Sequence, residues 1–76
     1  RDQAGAVQAY AAALSGWPRA AWAAETTIKL ATALEASDRD TQACGALGEF
    51  SRRYAEGATA ALRTRATQVK TRAGCN

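Results

Sequence analysis

The chain has 76 residues, a net charge of +3, no histidine and two cysteines. That length holds one domain at most, and the missing histidine removes the commonest general base and the commonest metal ligand. No apolar run approaches the roughly 18–20 residues of a membrane-spanning helix.

The charge is unevenly spread. Residues 1–49 carry four basic and six acidic groups, whereas residues 50–76 carry six basic groups against Glu56 alone. A hydrophobic fraction of 47% overstates the core, because much of it is alanine, which adds helix propensity but little buried area. A core this small only about balances the entropy of ordering the chain, so a staple or a partner would help.

A first helix is predicted over about 3–15. Val7, Tyr10, Ala11 and Leu14 recur at i, i+3, i+4 and i+7, which draws one apolar stripe, and Ser15-Gly16 then stops it. Pro18, the single proline, is suited to a helix first turn, so a second helix is predicted over about 18–36. Its apolar residues spread over a wide arc, from Trp22 and Thr27 through Ile28, Leu30, Ala31 and Leu34. That arc marks it as the central helix, touching two neighbours. Trp17 and Trp22 are expected to pack across the turn as a corner.

Ser37-Asp38-Arg39-Asp40 offers N-cap residues for a third helix, predicted to run unbroken over about 40–72. Leu47, Phe50, Tyr54, Ala58, Ala61, Leu62 and Val69 share one arc of it. Gly57, in its middle, reads as a site of close helix approach in preference to a kink. The fold class is therefore all-α: three helices in a small bundle, or a bent helical hairpin, with a long C-terminal helix. Residues 1–76 form a single helical domain, or a piece or subunit of a larger assembly.

A helix over 40–72 would be about 48 Å long and would hold Cys44 and Cys75 far beyond the roughly 7 Å that a disulfide allows. An intrachain bond then requires the helix to break near Gly57 and double back. Otherwise two copies pair antiparallel through interchain bonds, or the thiols are free. Two cysteines in a small domain point toward an oxidising compartment and hence export, though the same count is ordinary for reduced thiols.

No nucleophile elbow, phosphate loop or paired-carboxylate pattern is present. Two cysteines without histidine or a CxxC pair argue against zinc. No catalytic, cofactor-binding or metal residue is assigned, and no cofactor is implied. The chain reads as a non-enzymatic helical interaction or accessory module that binds a protein partner, or a second copy, through the long helix. The contact residues expected are Arg53, Arg65 and Arg72, with Phe50 and Tyr54. A small basic nucleic-acid-binding protein is the alternative, its stripe being Arg52, Arg63 and Lys70. A carrier of a small apolar ligand, lined by Tyr10, Trp17 and Trp22, comes third.

Overall fold

The computed structural model describes residues 3–75. They form four α-helices of 14 residues each: α1 (Gln3–Gly16), α2 (Ala23–Ala36), α3 (Asp40–Arg53) and α4 (Ala60–Ala73). The all-α expectation holds, and no strand occurs among the described residues. The long C-terminal helix does not exist. It is two helices of ordinary length, so neither layout built on a single 40–72 rod applies.

The break at residues 54–59 has a local cause. Both the Tyr54 and Ala55 N–H groups donate to the Phe50 carbonyl, at 2.8 and 2.9 Å, which closes α3. Gly57 then lowers the cost of leaving the helix. Thr59 takes an extended conformation (φ −69°, ψ 158°), and its Oγ1 accepts from the Leu62 N–H at 3.1 Å. That is an N-cap, satisfying one of the amide donors exposed at a new helix start. The Arg63 guanidinium donates back to the carbonyls of Ala55 and Ala58, adding to the Ala58 N–H bond on Ala55 within the turn. A Cβ built on Gly57 would meet nothing within 4 Å, so this glycine marks a break and not a close helix crossing.

Doubling back brings the cysteines together. Cys44 and Cys75 are bonded, with Cα atoms 5.6 Å apart at a sequence separation of 31. The interchain pairing considered from the sequence is thereby replaced by an intrachain one. Gly74 positions the second sulfur. In the left-handed region at φ 74°, it lets the Cys75 N–H return to the Lys70 carbonyl and its own N–H to that of Thr71. This Schellman closure folds Cys75 over the helix end toward α3. The following residue, Asn76, lies outside the described residues.

The α2–α3 connection closes in the same way. Asp38 has φ 60°, and the Arg39 N–H reaches the Leu34 carbonyl at 2.8 Å. The capping expected from residues 37–40 does not form. The α3 N-cap is Arg39, without a side-chain cap bond, while the Ser37 hydroxyl donates to the Ala33 carbonyl at 2.8 Å.

α2 starts five residues later than the proline suggests. A helix running from Pro18 would need the Pro18 carbonyl to accept from the Trp22 amide. That carbonyl instead accepts from the Tyr54 hydroxyl at 2.6 Å, so residues 17–22 form successive tight turns before Ala23. Trp17 and Trp22, expected to pack as a corner, are 65% and 44% exposed. Tyr54→Phe is expected to cost about 1 kcal/mol, the net worth of one such hydrogen bond, measurable by urea denaturation.

α2 is the central helix, as its wide apolar arc predicts. It packs against α1, α3 and α4, whereas α1 packs against α2 alone. One core cluster joins Ile28 and Ala31 of α2 to Leu47 and Phe50 of α3 and Val69 of α4; a second joins Leu34, Ala43 and Ala73 near the disulfide. Thr27 is the buried polar residue among the described residues, and its hydroxyl donates to the Ala23 carbonyl at 2.8 Å. Among the described residues, no helix is long and apolar enough to cross a membrane.

Candidate functional site

Because α1 touches only α2, a groove is left between α1 and α3 with α2 as its floor. It measures about 320 Å³ and is lined mainly by Ala11, Leu14, Pro18, Leu30, Ala46 and Tyr54. Successive turns of α1 supply Ala11 and Leu14, α2 supplies Leu30, and the first half of α3 supplies Ala46. Thr27 also lies there, but its hydroxyl is spent on its own helix, so the floor presents methyl and methylene groups. No fully buried residue occurs on α1, consistent with a helix covered on one side only.

The rim is charged. Glu49 pairs with Arg53 at 2.7 Å and with Arg52 at 2.6 Å, and Arg53 also lines a hollow with Pro18, Arg19 and Tyr54 at the groove's end. The Arg52 hydrogen bond holds the Glu49 carboxyl below its ordinary 4.5 against an opposing desolvation, with further attraction from Arg53 and Arg52. A carboxylate with a lowered folded-state pKa stabilises above its unfolded pKa, and that contribution disappears as pH falls through the folded value. Titration by carbon NMR is therefore expected to give Glu49 a midpoint below 4.5, moving upward in Arg52→Gln.

The residues expected to meet a partner are dispersed. Arg53 and Tyr54 do come together at the end of the groove. Phe50 is 3% exposed and belongs to the core. Arg72 lies at the opposite end of the bundle, 3.4 Å from Glu35. Arg65 is exposed beside Ala21, Ala24 and Gly57, in a different hollow. Cys44 and Cys75 form the disulfide and border a more polar hollow with Thr41, Ser51 and Lys70.

The basic stripe of the nucleic-acid alternative was drawn on one helix and is divided. Arg52 sits on α3 with Glu49, and Arg63 on α4 turns its guanidinium to backbone carbonyls. The apolar hollow is lined by Leu14 and Leu30 in place of Tyr10, Trp17 and Trp22. Leu14 and Leu30 were legible as core residues; nothing in their spacing says that the space between their helices is left unfilled. Among the described residues, no group of three His, Cys, Asp or Glu side chains could hold a metal ion. Comparison with family models, curated proteins and solved structures yields no match to this chain.

Proposed function

We propose that the chain is a non-enzymatic helical interaction module that receives an amphipathic segment of a protein partner in the α1–α3 groove. The observation that carries this reading is the apolar lining of Leu14, Leu30, Ala11 and Ala46 left uncovered between two helices. Grooves of that kind accept a helix through side chains at i, i+3, i+4 and i+7. Glu49 is already shared by two guanidiniums, so the rim keeps an excess of positive charge that favours a partner carboxylate near Arg53. The disulfide supports an exported setting, because such bonds persist in oxidising compartments.

The test places the photoreactive residue p-benzoylphenylalanine at position 11, an exposed groove-rim site, in the protein's native source. One discrete protein adduct is expected, absent when the same group replaces Thr64 on α4 and competed away by unlabelled chain but not by unlabelled Ala11→Arg. Adducts of equal yield from positions 11 and 64 would contradict the groove as the binding surface.

A further inference from the structure

Both tryptophans lie in one connection, residues 17–22, and both are at the surface. Trp17, Pro18, Ala20, Ala21 and Trp22 carry no charge, and among the described residues Arg19, between them, makes no salt bridge or side-chain hydrogen bond. A chain short of core-forming side chains thus leaves its two largest apolar groups outside. Scattered exposed apolar residues are ordinary, whereas two tryptophans on one short loop form a patch.

The charge of the molecule is concentrated at the same end. The Tyr54–Pro18 hydrogen bond sets the end of α3 beside this connection, and Arg65 of α4 borders a hollow with Ala21 and Thr59. Arg19, Arg52, Arg53, Arg63, Arg65 and Lys29 therefore belong to the tryptophan half, against Glu25, Glu49 and Glu56. The other half carries Arg39, Lys70 and Arg72 against Glu35, Asp38 and Asp40. Six cations oppose three carboxylates in the first half, and three oppose three in the second. The whole +3 of the described residues lies with the tryptophans.

We propose that this end of the bundle docks on an anionic lipid bilayer, with Trp17 and Trp22 entering the headgroup region. Tryptophan favours the bilayer interface because its ring is apolar while its N–H needs a polar partner. The surrounding guanidiniums supply attraction to anionic headgroups, which falls away within a screening length of about 10 Å at 0.1 M salt. The apolar character of residues 17–22 favours a bilayer over a nucleic acid, whose phosphates would be met by a loop richer in cations. Pro18 and Arg53 border both this surface and the groove, whereas Trp17 and Trp22 lie outside the groove lining.

The experiment mixes the purified chain with unilamellar vesicles of phosphatidylglycerol and phosphatidylcholine in equal parts, or of phosphatidylcholine alone. The expected result is cosedimentation with the anionic vesicles, weakened by salt, with a blue shift of tryptophan emission. Trp17→Ala/Trp22→Ala, both at exposed sites, is expected to keep its helical circular dichroism and to lose at least roughly tenfold in vesicle affinity. Ala11→Arg is expected to bind vesicles like the parent, which separates this surface from the groove. Equal binding to neutral and anionic vesicles, or no binding to either, would overturn the proposal. So would retention of affinity by the double tryptophan variant, or tighter binding to a single-stranded oligonucleotide than to the anionic vesicles.

Discussion

Replacing Cys44 and Cys75 together by serine is expected to destabilise the fold by about 4 kcal/mol, from the chain entropy of a loop closed over 31 residues. For a domain of this size that is a drop in Tm on the order of 20 °C. The loss is expected to show first in α4, which has little else to hold it. Val69 and Ala73 are its buried residues, supported by the half-buried Leu62 and Ala66. Its solvent side carries Arg65, Thr67 and Lys70 instead of further apolar groups. Thermal melts of the parent with and without reductant should reproduce the difference between parent and double serine variant. Hydrogen exchange should show α4 amides losing protection before those of α2. A melt unchanged by reductant would mean that α4 is anchored by packing alone.

Phe50→Ala is expected to cost about 3–5 kcal/mol, the range for truncating a buried aromatic side chain. Phe50 is 3% exposed and lies in the cluster with Ile28, Ala31, Leu47 and Val69, where α2, α3 and α4 meet. Removing its ring leaves a cavity that three helices line and none can collapse into freely. Phe50→Leu, which keeps most of the volume, should cost less than about 1.5 kcal/mol. Chemical denaturation of the two variants separates this reading from the surface role suggested by sequence, under which Phe50→Ala would leave stability nearly unchanged.

Much of the fold is legible in the residues. The pairing of Leu47 and Phe50 on one buried face, the wide arc of α2 and the stop after Ser15 each appear where local patterns put them. The α3–α4 break is hidden by phase. At 100° per residue, Leu47 and Val69 lie 22 positions apart and fall within about 40° of each other, so a wheel drawn through the turn looks continuous. The alanines around Gly57 reinforce that impression, since each favours helix. The signal that marks the break is Thr59 following Gly57, a stop and a new N-cap in succession.

The late start of α2 and the open groove were not legible. The first depends on Tyr54 taking the Pro18 carbonyl across 36 residues of sequence, a contact no local pattern encodes. The second depends on α1 failing to reach α3, and the apolar stripe of α1 would look the same had it done so. The tryptophans show the converse limit. Their size suggests a packed corner, but the turn is already anchored by Tyr54, which leaves both rings at the surface.

The most direct test of the folded-back C-terminal half is the intact mass of the non-reduced chain combined with light scattering at high dilution. The structure requires a covalent monomer of 7.9 kDa, lighter by two hydrogens than its reduced form, with proteolytic fragments containing Cys44 and Cys75 of the same chain joined. A covalent species of twice that mass, collapsing to 7.9 kDa on reduction, would restore the single long helix and contradict the four-helix account.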